Sequence, residues 1–330
     1  MKLNKVYLGD WTTNQLEDKS VQLIIADPPY FEVKGEFDFI WNSYDDYLKD
    51  VEKWAIECKR VLADNGTLFW YGDSKKIAYA QIIFDKYFNL LNNLTWNKGS
   101  FMGLEESERL RSFAPCTERI LMYDNSTNKT GLQKIYSDDN CFESIKEYLR
   151  SEKRKSKLTS KDLNRLFSKY TNKKGCTDRS VMEHYWQKSQ WVLPTEEIYK
   201  NIMQPTGYWQ KPYEELCKEY EELRKEYEEL RRPFNNIHKL QEVFNFSNEA
   251  GKTGAKYKHA TPKPETLTRA LIQTCSRKGD LVLVPFAGSG TECAMAAKED
   301  RNYIGFDIEK KYVDMANKRC KEHKQQLRIF

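Results

Sequence analysis

The sequence predicts an α/β protein: a mostly parallel, Rossmann-like sheet with helices on both faces, interrupted by an inserted, mainly helical segment. Three observations carry this expectation. Short apolar runs alternate with helical periodicity in the first third, the same rhythm resumes in the last quarter, and the stretch between them is lysine-rich and then repetitive.

The elements follow in order. Val21-Gln22-Leu23-Ile24-Ile25-Ala26 is a buried-strand run that stops at Asp27-Pro28-Pro29-Tyr30. Over residues 44–62, Tyr47, Leu48, Val51, Trp54, Cys58, Val61 and Leu62 recur at helical spacing. Residues 66–72 read as a strand between glycines, 75–87 as a helix, and 90–96 and 119–123 as further strands. The polar tract 124–131 marks a boundary. Beyond it, residues 158–167 carry a capping signal and the spacing of one short helix, 172–175 a turn, and 179–187 a second helix, together a loose helix-turn-helix-like arrangement. Residues 213–232 repeat every seven residues, with Tyr213, Tyr220 and Tyr227 at one position and Leu216, Leu223 and Leu230 three later. A charged connecting helix ending at Pro233 is the preferred reading; a coiled-coil homodimer seam is the sharper alternative. Strands then return at 279–284 and 302–307, each followed by a helix, from about Thr291 and over 309–324. Both chain ends therefore build the sheet, giving a division into 1–124, an insert at 125–249, and 250–330.

Composition bounds the function. A chain of 330 residues suggests two domains, or one large domain with an insertion. No apolar run approaches the roughly 18 residues that cross a bilayer, and no apolar stretch follows the first lysines, so neither a membrane partner nor a signal peptide is expected. Eight scattered cysteines without a Cys-x-x-Cys pair imply reduced thiols, a cytoplasmic location and no metal site. The net charge of +5 is mild, but residues 146–179 hold 12 Lys/Arg against 4 Asp/Glu. That local +8 leaves −3 for the remainder.

Two motifs carry chemistry. Pro285-Phe286-Ala287-Gly288-Ser289-Gly290-Thr291 follows a strand and opens a helix, where glycines allow close backbone approach and unpaired N–H groups face an anion. Asp307 ends the next strand, placed to accept ribose hydroxyls. A lone glycine turn is more often a plain turn; strand, turn, helix and strand-end acid together indicate a nucleoside-containing cofactor, and the missing third glycine argues against the dinucleotide fingerprint. In Asp27-Pro28-Pro29-Tyr30, consecutive prolines fix φ and withdraw two N–H donors, leaving carbonyl acceptors beside a carboxylate and an aromatic ring. An Asp-Pro turn is the bland alternative. The acceptor-rich stretch at a strand's carboxyl end suits a planar ring bearing an exocyclic amine.

Taken together, Asp-Pro-Pro-Tyr early and Phe-x-Gly-Ser-Gly-Thr late, separated by a variable middle, resemble the β class of S-adenosylmethionine-dependent DNA amino methyltransferases. The resemblance covers about residues 1–124 and 250–330. Leu8-Gly9-Asp10 is similar to the family's cofactor-contacting Gly-Asp, His259-Ala260-Thr261-Pro262-Lys263-Pro264 to its His-Pro-x-x-Lys-Pro segment, and Trp96-Asn97-Lys98 to a Trp-x-Lys element near the target pocket. Residues 111–120 and the repetitive helix before Arg232 look more like solitary adenine methyltransferases of phages and prophages. The resemblance implies S-adenosylmethionine as cofactor and DNA as partner. It implies catalysis by Asp27, Pro28, Pro29 and Tyr30; Phe31 is a candidate for the pocket or equally for the core. Cofactor contacts fall to Asp10, Asp27, Lys263, Phe286, Gly288, Ser289, Gly290, Thr291 and Asp307, and target recognition to the insert, where Trp186, Trp191 and Trp209 are candidates for base stacking or for the core. Its activity would be methyl transfer to adenine N6, with cytosine N4 or an RNA adenine as alternatives within the class. One departure stands out: Val284 occupies a position where the family usually has Asp, which keeps open a non-catalytic DNA-binding protein on the same fold. Ala260, where Pro is common, is a milder change.

Overall fold

The computed structural model describes residues 1–33, 38–99, 111–113, 115–125, 142–159, 162, 165–166, 184–186, 191–247 and 262–326. The chain divides into two compact units, residues 1–131 with 232–330, and residues 132–231.

The first unit is built on one eight-stranded sheet. Its strands are β1 (Lys5–Leu8), β2 (Val21–Ala26), β3 (Leu62–Asp73), β4 (Asn89–Asn97), β5 (Thr117–Asp124), β6 (Val243–Asn245), β7 (Leu281–Val284) and β8 (Asn302–Asp307), in the order β1-β8-β7-β2-β3-β5-β4-β6. Among the described residues, only the pairs that β5 makes with β3 and β4 are antiparallel. Side chains two apart share a face, so each strand feeds two cores. Leu23 and Ile25, Phe69 and Tyr71, and Val282 and Val284 enter one; Ile24 and Ala26, Leu68 and Trp70, and Leu283 enter the other. A strand buried on both faces needs apolar residues at consecutive positions, which is why β2 reads as an unbroken hydrophobic run rather than an alternating one.

Helices α1 (Tyr44–Val61) and α2 (Ile77–Phe84) cover one face. Ser43 caps the start of α1, its Oγ accepting from the Asp46 N–H at 3.1 Å and donating to Asp46 Oδ2 at 2.8 Å. Acids in its first turn and bases in its last complement the helix dipole.

The second unit holds α3 (Glu143–Ser156), a helical segment at 196–206 and α4 (Tyr213–Leu230). Its core gathers Ile145, Leu149, Tyr185, Tyr199, Ile202, Met203, Trp209 and Leu216. Trp209 is fully buried and donates from Nε1 to the Leu149 carbonyl at 3.1 Å; Trp191 donates to the Tyr185 carbonyl at 3.1 Å, and Trp186 packs on Trp209. Trp209 thus belongs to the core, and Trp186 and Trp191 pack against it half-buried. The seven-residue repeat of α4 is used in part within this unit. Leu216 is buried, Tyr213, Tyr220 and Leu223 lean on this core, and Leu230 is 70% exposed.

Back in the first unit, Arg232 Nη1 donates to Thr67 Oγ1 at 3.3 Å, and β6 pairs with β4. Residues from 232 onward, which the sequence pattern groups with the insert as far as 249, fall in the first unit and add β6 to its sheet; a strand of three residues is too short to carry a periodic signal. The other face of the sheet is covered by α5 (Glu265–Cys275), α6 (Thr291–Lys298) and α7 (Lys310–Gln326). The candidate helices and turn at 158–187 lie largely outside the described residues, as do 126–131 and 259–261. Among the described residues no helix is long and apolar enough to cross a membrane, and no cluster of His, Cys, Asp and Glu could hold a metal ion.

Candidate active site

From β7 the chain passes through α6 to β8 on one side of the sheet order; from β2 it passes through α1 to β3 on the other. The direction of winding reverses between β7 and β2, and such a switch point leaves a crevice at the carboxyl ends of the strands. Both motifs land there. A cavity of about 470 Å³, the size of a small-molecule site, is lined by Asp27, Pro28, Pro29 and Tyr30 from the end of β2 and by residues 285–289 from the end of β7. Asp10, Lys263 and Asp307 complete the set brought together from the expected cofactor residues.

The Asp27 carboxylate is held on both sides. Tyr30 donates its hydroxyl to Oδ1 at 2.9 Å, and the Lys263 ammonium lies 2.8 Å from Oδ2. The Tyr30 backbone N–H donates to Asp38 Oδ1 at 2.6 Å, fixing the turn. Lys263 is 5% exposed and also pairs with Glu118 at 3.2 Å; Glu118 in turn takes Lys98 at 3.1 Å. Burial raises the Asp27 carboxyl above its usual range against the pull of Lys263. Burial, reinforced by the Asp27 charge, raises the Tyr30 phenol and keeps it protonated. For Lys263, Asp27 and Glu118 outweigh desolvation and raise its pKa, so it remains an ammonium. An ionised carboxylate has about four lone-pair sites, and the two bonds to Tyr30 and Lys263 leave acceptor capacity facing the cavity.

The glycine turn is shaped by Asp307. Its Oδ2 accepts from the Gly288 N–H and its Oδ1 from the Glu309 N–H, both at 2.9 Å. Burial raises its pKa. Each oxygen retains a second lone pair for a ligand hydroxyl. Asp10 caps the 3₁₀ turn at Trp11–Thr13, accepting from the Thr12 N–H at 2.9 Å. Phe286 sits edge-on to Trp54, with ring centroids 5.0 Å apart, and to Trp11 at 6.2 Å.

Two expected contact residues lie elsewhere. Gly290 is outside the cavity lining: its φ is +75°, and a Cβ there would meet the Ala316 Cβ at 2.6 Å. It lets α6 pack against α7. Thr291 is fully buried and accepts from Arg319 Nη1 at 2.7 Å. The same guanidinium reaches the Ser289 carbonyl at 3.2 Å and pairs with Glu265 at 2.7 Å, so it braces the turn from behind. Phe31 is buried against Tyr44 and Tyr47 in the core and is absent from the main cavity's lining. Val284 is 1% exposed within the sheet core and does not line the cavity; an apolar side chain suits that burial.

The sequence pattern passed over Glu118 and Glu292 as functional residues. Glu118 opens β5 beside Trp96, and its signal was the charge at the start of an apolar strand. Glu292 is 5% exposed in the first turn of α6 and lines the cavity. Its signal was a single acid in an otherwise small and apolar helix.

Sheet, crevice and paired motifs define a methyltransferase fold with a nucleoside-sized site. A family model described as DNA methylase matches residues 21–318, and the chain belongs to that family. It is 27% identical over 311 residues to the Type II methyltransferase M1.MboII of Moraxella bovis, covering 92% of this chain and 90% of the relative. Among solved structures, a DNA modification methylase of Thermus thermophilus complexed with S-adenosyl-L-methionine has a TM-score of 0.51 at 18% identity, over 97% of this chain and 95% of the other. The PvuII DNA methyltransferase, cytosine-N4-specific, has a TM-score of 0.52 at 13% identity, over 98% and 91%. The protein is a DNA methyltransferase.

Proposed function

We propose that this methyltransferase transfers the methyl group of S-adenosylmethionine to the exocyclic N6 of an adenine turned out of DNA. The observation that carries the reading is the Asp27 carboxylate, oriented by Tyr30 and Lys263 and sharing one cavity with the Gly288 turn and Asp307.

S-adenosylmethionine supplies a methyl group on positively charged sulfur. The residues present suit it: Asp307 and Asp10 offer acceptors for its hydroxyl and amino groups, and Phe286 and Trp11 an apolar wall. An adenine amine is a weak nucleophile because its lone pair is conjugated into the ring. Asp27 and the Pro28 carbonyl accept its two N–H bonds, which favours a pyramidal nitrogen. The acceleration then comes from orientation and fixed charge. Tyr30 stacks on the base, a contact worth about 1–3 kcal/mol against an unstacking cost of about a few kcal/mol.

Motif order, with the Asp27 motif ahead of the Gly288 motif and an insert between, is that of the β class, and residues 111–120 favour the solitary adenine enzymes within it. The insert, taken as 125–249, serves target recognition, its basic stretch meeting phosphates. In α3, part of that charge is spent internally: Arg150 pairs with Glu143 at 2.6 Å and Lys155 with Glu152 at 2.6 Å.

Asp27→Ala tests the reading. Methyl transfer falls by at least about 10²-fold, the scale of losing one positioned electrostatic contact, while S-adenosylmethionine still binds in a calorimetric titration. Near-normal turnover in this variant removes Asp27 from the mechanism.

A further inference from the structure

The cavity is also lined by a buried carboxyl group, Glu292, to which the reaction above gives no role. Glu292 Oε1 is buried and has no hydrogen-bond partner among the described residues. The nearby cations are committed: Lys263 to Asp27 and Glu118, Lys98 to Glu118, and Arg319 to Glu265. Burying an acceptor without a partner costs free energy, and a buried carboxyl group meets that cost either by holding a proton or by pairing with a cation. The Tyr71 hydroxyl, also buried and without a hydrogen-bond partner among the described residues, faces the same group of acids.

We propose that Glu292 is the counter-ion for the positively charged methyl donor and lets the site prefer donor over demethylated product. The inference rests on S-adenosylmethionine being the cofactor. The donor carries sulfonium, ammonium and carboxylate, a net charge of +1; S-adenosylhomocysteine has lost the sulfonium charge and is net neutral. Within this cluster Asp27, Glu118 and Glu292 face two ammonium groups, Lys263 and Lys98, and the cavity's other acids, Asp10, Asp38, Asp50, Asp307 and Glu309, against Lys53, keep its lining negative. A donor of net +1 offsets part of the remaining charge, and a neutral product does not. The preference therefore assists exchange of spent product for fresh donor after each transfer.

The protonation of Glu292 supports this. Burial, with the nearby Asp27 charge adding to it, raises its pKa to about 7. The groups around it are Asp27 and Lys263 at the cavity, Arg319 on α7, Tyr71 on β3 and Cys293 beside it on α6. Near neutrality the empty site thus holds a partly protonated Glu292, and the cationic donor displaces that proton.

Two measurements on the full chain test the proposal. In calorimetric titrations at pH 7, repeated in buffers of different ionisation enthalpy, S-adenosylmethionine binds with release of protons, and S-adenosylhomocysteine releases fewer. In Glu292→Gln, which keeps the side-chain shape, the preference for donor over product falls roughly tenfold, the scale of one charge-assisted contact, and its rise between pH 6 and pH 8 disappears. Equal proton release by both ligands in the natural protein overturns the proposal, and so does an unchanged preference in a folded variant. If neither ligand binds the natural protein, the cofactor reading fails and takes the proposal with it; if both bind and only the preference is insensitive, the role of Glu292 alone fails.

Discussion

At the scale of single residues, the site is a problem in arranging acceptors. Asp27 has both oxygens engaged, by Tyr30 and by Lys263, so its orientation is set before any base arrives. The Tyr30 hydroxyl holds Asp27, and in the proposed reaction its ring meets the base, so the two contributions are separable. Tyr30→Phe keeps the ring and loses the hydroxyl, and should lower kcat with little change in the KM for DNA. Tyr30→Ala should raise that KM as well, by about 5- to 100-fold if stacking contributes its usual share. Steady-state kinetics on both variants separates the two; a Phe variant as impaired in KM as the Ala variant contradicts the division. The motif residues were legible in sequence because proline, glycine and a strand-end acid impose local geometry. Glu118 and Glu292 were not, because their importance comes from what distant segments place beside them. Thr291 and Gly290 were legible as part of the turn, but their contacts with Arg319 and Ala316 on α7 are tertiary.

At the scale of elements, long-range pairing decided what local pattern did not. The interior strands β2, β7 and β8 announced themselves by apolar composition, whereas the edge strands β1 and β6, four and three residues long, were passed over. Strand β3 runs from Leu62, before its glycine-bounded stretch, because Leu62 pairs with Val21 of β2 ahead of a register shift that resumes at Thr67. The helix pair α6 and α7 offers a direct test of packing. Gly290→Ala forces a Cβ to 2.6 Å from Ala316 and places it on a backbone with φ of +75°. The expected cost is about 1–3 kcal/mol in denaturant unfolding, since both strain and overpacking act together. A variant as stable as the natural protein shows that α7 yields freely there.

At the scale of the whole molecule, charge is divided along the chain rather than spread over it. A net charge of +5 resolves into +8 at residues 146–179 and −3 elsewhere, the balance expected when one segment meets phosphates and the rest encloses an acid-lined site. Binding to duplex DNA should therefore weaken steeply with salt, by about 10³-fold or more between 50 and 200 mM if some six phosphate contacts form; a titration series that stays flat removes the phosphate-binding role. The fold class was readable because both ends of the chain repeat the same strand-helix rhythm. Within the insert the repetitive helix, α4, was readable from its period, but the core was not, since it depends on apolar residues spread from Ile145 to Leu216 with no shared period. The central claim is methyl transfer to adenine N6 through Asp27, and one measurement meets it directly: express the natural protein and Asp27→Ala in a host lacking its own base methylation, then map modified bases at single-nucleotide resolution. N6-methyladenine at a recurring sequence with the natural protein, and none with the variant, is the predicted result. N4-methylcytosine instead, or the same adenine marks from both proteins, contradicts it.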